Sequence, residues 1–94
     1  MAIKLMGNYN RGRKYEYEVK KQFEKAGWRV FRCAGSKPID LIAFYPNGSL
    51  GNKVLWIECR LKRRPSQAEQ EFWKEEAQRY GAEYRVFVKN KQED

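Results

Sequence analysis

Histidine is absent from the 94 residues. That removes histidine-based nucleases, serine or cysteine triads with a histidine base, and most zinc sites. Any catalysis has to run on carboxylates, lysine, arginine or a hard metal ion. Cysteine is scarce: Cys33 and Cys59 fall in strand-like stretches, lack the spacing of metal ligands and read as buried reduced thiols. No apolar run approaches the roughly 18 residues of a membrane span, and the opening MAIKLMGNYN is too short and too weakly apolar for a secretory signal. The expectation is a cytoplasmic protein, associated with the nucleoid or acting inside an infected host cell, with no membrane partner.

Acid is the minority charge. Lysine and arginine number 20 against 12 aspartates and glutamates, a formal net charge of +8. The imbalance is local: residues 1–37 hold ten basic residues against three acids, whereas residues 38–94 hold ten against nine. A second basic cluster stands at Arg60, Lys62, Arg63 and Arg64. Such an excess suits a polyanion, nucleic acid before membrane, because no segment is a basic amphipathic helix with a wide apolar face. The alternative is a basic surface with no specific partner. At this length the chain forms a single domain over residues 1–94, with 1–10 and 90–94 as flexible tails and a core small enough for an oligomeric interface to extend it.

From Arg11 to Ala26 the apolar positions Tyr15, Val19, Phe23 and Ala26 recur at helical spacing, and Gly27 stands where a helix stops. Of the acids in this helix, Glu16 lies at the edge of the apolar face, whereas Glu18 and Glu24 point further away. WRVFRC at 28–33, IDLIAFY at 39–45 and KVLWIECRL at 53–61 read as three strands joined by loops, an antiparallel meander. The third strand alternates Leu55, Ile57, Cys59 and Leu61 on one face with Val54, Trp56, Glu58, Arg60 and Lys62 on the other, so both faces begin apolar and expect a covering layer. Ser66 and Glu69 form a capping box after Pro65. A second helix then runs to about Tyr80, burying some of Ala68, Phe72, Trp73, Ala77 and Tyr80, and Gly81 ends it. YRVFV at 84–88 is the last strand, and a right-handed crossover through the second helix sets it parallel to the third. The result is an α/β fold of order α-β-β-β-α-β, a mixed central sheet flanked by helices.

If the hairpin of the second and third strands is symmetric about its connector near Ser49, Asp40 lies opposite Glu58. Two carboxylates about 5 Å apart on a half-buried face repel and lose hydration. Two resolutions are open. A divalent metal such as Mg²⁺, which takes one or two carboxylates, water and phosphate, is one; neutralisation by Arg60 and Lys62 in a structural ion network is the other. The first gains from the approach of Glu16 and from basic surroundings, since phosphodiester hydrolysis needs a metal to polarise phosphate and a cation for the developing charge.

Glu16 in the first helix, PID at 38–40 and ECR at 58–60, within this element order, resemble the PD-(D/E)xK nuclease superfamily, with its restriction-endonuclease-like core. Within it the chain is most similar to the archaeal Holliday junction resolvases. GRKYE at 12–16 resembles their opening of the first helix, GWRVFRCAGS at 27–36 their first strand and serine-bearing loop, IDLIAF and LWIECR their second and third strands, and SQAEQEFWKEEAQRYG their second helix.

The resemblance implies a Mg²⁺-dependent, structure-selective endodeoxyribonuclease, with Mn²⁺ as a substitute, acting as a homodimer on branched or four-way-junction DNA in recombination and repair. Asp40, Glu58 and the backbone carbonyl of Cys59 would ligate the metal. Glu16 would bind metal or position the attacking water, which the metal activates. Ser36 would contact DNA near the scissile phosphate, and Gln67 matches a helix-two glutamine. The family motif has lysine where Arg60 stands. Arginine keeps the charge but forks its donors and does not give up a proton, so either Arg60 stabilises the reaction charge or Lys62, about 7 Å along the strand, substitutes for it. Arg11, Arg13, Lys14, Arg32, Lys37, Arg63 and Arg64 would hold backbone phosphates. The alternative is a nucleic-acid-binding module on the nuclease fold with weak or no cleavage, and a third reading is an interaction protein whose acids are only ion-paired.

Overall fold

The computed structural model describes residues 7–33, 35, 38–46 and 53–90. They form helix α1 (Gly7–Lys25), strands β1 (Arg29–Arg32), β2 (Leu41–Tyr45) and β3 (Lys53–Arg60), helix α2 (Gln67–Arg79) and strand β4 (Glu83–Val88). The sheet order is β1-β2-β3-β4, with β1, β2 and β3 antiparallel and β4 parallel to β3. This is the expected meander plus crossover. The hairpin register is also the symmetric one, Leu41 against Ile57 and Ala43 against Leu55.

The helices cover opposite faces of the sheet. Val19 of α1 packs with Val30, Leu41, Ala43, Leu55 and Ile57, and Tyr15, Phe23, Cys59 and Phe87 close around them. On the other face Trp56 stacks on Tyr80 at 6.0 Å and meets Trp73 at 6.5 Å. Of the apolar residues expected under α2, Ala77 is fully buried and Trp73 half-buried, while Ala68, Phe72 and Tyr80 are exposed. Because α2 packs on β4 and the adjoining part of β3, it leaves the same face of β1 and β2 uncovered: Phe31 is 53% exposed and meets Phe44 edge-on at 6.0 Å.

Turn chemistry fixes the helix ends. At the end of α1 the Gly27 amide bonds to Glu24 O and the Trp28 amide to Phe23 O, both at 3.0 Å, with Gly27 at φ 99°. This is a Schellman motif, and its hydrophobic contact is the edge-on Phe23–Trp28 pair at 5.4 Å. A Cβ on Gly27 would stand 3.1 Å from the Tyr45 ring as well as in the left-handed region. Ser66 caps α2 with the full reciprocal capping box to Glu69.

Two observations bear on the segments expected as tails. Helix α1 starts at Gly7, so residues 7–10 are helical; with no apolar stripe in that polar stretch, periodicity had nothing to register. At the other end the amides of Lys89 and Asn90 bond to Arg60 O and Leu61 O, each at 3.0 Å, extending the parallel pairing past the last strand residue and tying position 90 to the fold. Positions 1–6 and 91–94, the remainder of the expected tails, lie outside the described residues.

Candidate active site

Asp40 stands one step beyond the first β2–β3 pair and is held by backbone and side-chain hydrogen bonds. Its amide donates to Ile57 O, its carbonyl accepts from the Cys33 amide, and its carboxylate Oδ2 accepts from the Cys59 amide, all at 2.8 Å. The carboxylate takes over a backbone acceptor's place where the chain leaves the ladder, which explains how an acid only 9% exposed is tolerated there. Glu58, 3% exposed, lies two residues before the end of β3. Both its oxygens have donors: the Tyr84 hydroxyl donates to Oε1 at 2.5 Å and Arg60 Nη1 to Oε2 at 2.8 Å. Parallel pairing sets Tyr84 opposite Trp56, diagonal to Glu58. Burial, and then the bond to Glu58, push the Tyr84 phenol well above its ordinary 10.0, so it remains a donor across the physiological range.

Glu16, on the inner edge of α1, accepts from Arg32 Nε at 3.3 Å and Nη2 at 3.4 Å. Arg32 also sits 5.4 Å above the Tyr17 ring. The guanidinium expected to face DNA is therefore occupied with an acid and an aromatic of its own chain. Burial first, and then the fields of Asp40, Glu16 and Glu58, push the Cys59 thiol far above its ordinary 9.0. Cys33 is shifted the same way by burial and Asp40. A thiol with a raised pKa stays protonated, and the stability linked to it is present below about pH 9 and lost as pH climbs beyond. Alkylation of Cys59 at pH 8 is expected to run at least about tenfold slower in the native chain than in urea; mass spectrometry of iodoacetamide time courses reads this, and equal rates would contradict the shift.

Among the described residues no three acids, cysteines or histidines converge closely enough to form a metal cage. The donor set suits Mg²⁺ nonetheless, since that ion needs only one or two carboxylates and fills the rest of its shell with water and phosphate. Asp40 and Glu58 supply hard oxygens at adjoining strand ends, and Glu58 faces a cleft of about 200 Å³ lined also by Pro38, Arg60, Glu69 and Trp73.

The remaining expected residues divide between two further clefts. Strand alternation stops at Arg60, and Lys62 falls in a bend that carries it away from Glu58, into a cleft with Arg11, Lys14, Leu61, Lys89 and Asn90. Of the two cations considered for the motif position, Arg60 is the one on Glu58. Arg64 and Gln67 line a second cleft with Gln70, Lys74, Tyr84 and Arg85, and Gln67 Nε2 donates to Glu71 at 3.3 Å. Arg63 is exposed and Arg13 half-buried, while Ser36 and Lys37 lie outside the described residues. Tyr84 and Lys89 were missed in the sequence. Seeing either requires the β3–β4 register, and no local pattern encodes it.

A sheet reached in the order α-β-β-β-α-β, with buried acids at the start of β2 and near the end of β3, is the core of the PD-(D/E)xK nuclease superfamily. Comparison with known proteins narrows this class. The chain belongs to the archaeal Holliday junction resolvase family, whose model matches residues 7–94. The crossover junction endodeoxyribonuclease Hjc of Methanocaldococcus jannaschii is 46% identical over 52 residues, which cover 55% of this chain and 35% of that protein. The structure of Hjc, a Holliday junction resolvase from the hyperthermophile Archaeoglobus fulgidus, superposes with a TM-score of 0.64 at 28% identity, covering 87% of this chain and 66% of that one. This chain therefore spans about a third of the first relative and about two-thirds of the second.

Proposed function

We propose that the chain is a Mg²⁺-dependent endonuclease that cuts branched DNA, four-way junctions foremost; the names of its relatives, a crossover junction endodeoxyribonuclease and a Holliday junction resolvase, support the junction part of this reading. The observation that carries this reading is the pair of buried carboxylates, Asp40 and Glu58, at adjoining strand ends in a member of a resolvase family. Burial without a stabilising role is costly for acids, and structural frameworks seldom retain two of them there. Asp40, Glu58 and the Cys59 carbonyl would hold the ion, which when bound polarises a phosphate and makes water a better nucleophile. Glu16 would orient that water. Arg60, on the rim of the Glu58 cleft, would meet the charge that develops on phosphate. Arg11, Lys14, Lys62 and Lys89 would grip backbone phosphates on one side, and Arg63, Arg64 and Gln67 on the other, with Ser36 and Lys37, which precede Asp40 in sequence, as further contacts; such contacts make affinity strongly salt-dependent.

A homodimer is supported by the uncovered apolar side chains Phe31, Phe44 and Phe72. Sedimentation equilibrium is expected to give twice the chain mass, and the mass of one chain for Phe31→Glu; a monomeric parent would sink the dimer. The second reading, a binding module with little cleavage, is favoured by one observation, the Arg60 guanidinium on Glu58. Incubating the chain with labelled four-way junction, duplex and single-stranded DNA, with and without Mg²⁺ or Mn²⁺, separates the two. Metal-dependent cutting of the junction supports the nuclease, and intact binding with no cutting supports the module.

A further inference from the structure

Both carboxylate oxygens of Glu58 accept from a side chain, and the two donors differ in kind. Arg60 brings a full positive charge from the next residue on the same face of β3, with its side chain 39% exposed against 4% for Glu58. Tyr84 brings a neutral hydroxyl from β4, fixed by the sheet and diagonal in register. A guanidinium at the rim can swing into water at little cost, because its hydration is recovered there. Tyr84 is half-buried on the edge strand β4, and its shorter, stiffer side chain has less freedom to leave than the guanidinium. We propose that the two form an asymmetric clamp on Glu58: Arg60 is a built-in competitor that occupies the carboxylate until a divalent cation displaces it, and Tyr84 is the positioning residue that keeps Glu58 in place once Arg60 has left.

The proposal rests on Asp40 and Glu58 being the metal-holding pair. Its physical basis is that one carboxylate oxygen does not serve a guanidinium and a metal ion equally, and that a dication and a guanidinium on one carboxylate repel each other. Metal affinity is then lower than the two acids would otherwise give. It rises when the guanidinium is removed, provided that Glu58 stays oriented. Arginine at this position makes the competition stronger than lysine would, since its planar fork matches a carboxylate and its charge is never lost. Without metal, the Glu58 carboxylate is thus kept neutralised and ordered.

Isothermal titration of the full chain with Mn²⁺, without DNA, tests this. Arg60→Gln is expected to tighten Mn²⁺ binding roughly tenfold, and Tyr84→Phe in that background is expected to return affinity to within about threefold of the parent. Arg60→Lys should fall between parent and Arg60→Gln. Thermal melts in chelator establish that each variant folds, and Tyr84→Phe keeps the ring that packs in the sheet. Unchanged or weaker binding by Arg60→Gln overturns the competitor role, and full retention of the gain in the double variant overturns the positioning role of Tyr84. Asp40→Asn separates this from the underlying reading. If it abolishes Mn²⁺ binding while Arg60→Gln has no effect, the metal pair stands and the clamp alone fails. If it binds Mn²⁺ as the parent does, or if no variant binds, the metal pair and the clamp fall together.

Discussion

Asp40→Asn is expected to lower the rate of junction cleavage by about 10³-fold or more, the equivalent of about 4 kcal/mol of transition-state stabilisation. The fold should survive the change. An asparagine oxygen can still accept the Cys59 amide that now bonds to Oδ2, and the backbone bonds to Ile57 and Cys33 are untouched. What is lost is the negative charge that would hold a hard cation. Glu58→Gln should match it in activity but cost some stability. Its amide could still accept from Tyr84, yet it would turn an N–H toward Arg60 where a carboxylate now accepts at 2.8 Å. The exposed guanidinium limits that cost by moving into solvent. Single-turnover cleavage of a labelled four-way junction, with binding followed by gel shift, measures both variants. Retained binding with no product is the expected pattern, and an Asp40→Asn rate within tenfold of the parent would remove Asp40 from the chemistry.

The second large effect is structural. Ile57 is fully buried at the centre of the sheet, between Leu41 on β2 and Arg85 on β4 in register, with Val19 of α1 in the cluster over it. Ile57→Ala is expected to destabilise the chain by about 3 to 4 kcal/mol, through lost burial plus the cavity left behind. A domain of this size has a total stability of roughly 5 to 14 kcal/mol, so the loss is a large fraction of it. It should lower the melting temperature by about 15 to 25 °C. Activity should fall with it, because the Ile57 carbonyl accepts the Asp40 amide and a displaced strand would carry Asp40 along. Urea and thermal denaturation read the change, and a loss under about 1 kcal/mol would mean that this cluster is not the core.

Much of this was legible in the chain because the signals are local. Gly27 and Gly81 mark helix ends by a backbone conformation that other residues resist, and Ser66 with Glu69 marks a helix start by reciprocal hydrogen bonds. The apolar alternation of LWIEC, read against IDLIAF across a symmetric hairpin, sufficed to give the strand register, whose last pair, Leu41 against Ile57, stands one residue short of Asp40 and Glu58. What escaped depends on relations that no local pattern carries. The partner of Glu16 is Arg32, brought there by the packing of α1 on β1. Tyr84 meets Glu58 because a parallel strand arrives in one particular register after a helical crossover. Lys62 leaves the Glu58 face because the strand bends immediately after Arg60, and period-two reasoning fails where the strand stops. The start of α1 escaped for the opposite reason, having no apolar face to announce it.

The nuclease reading requires Asp40 and Glu58 to hold the divalent ion. Crystals of the chain soaked in Mn²⁺ and measured at the manganese absorption edge test it most directly. The predicted result is an anomalous peak ligated by carboxylate oxygens of both Asp40 and Glu58, with the Arg60 guanidinium turned away from Oε2. A saturating soak that leaves Arg60 on Glu58 and no peak between the two acids, or that puts manganese on ligands excluding both, would contradict it.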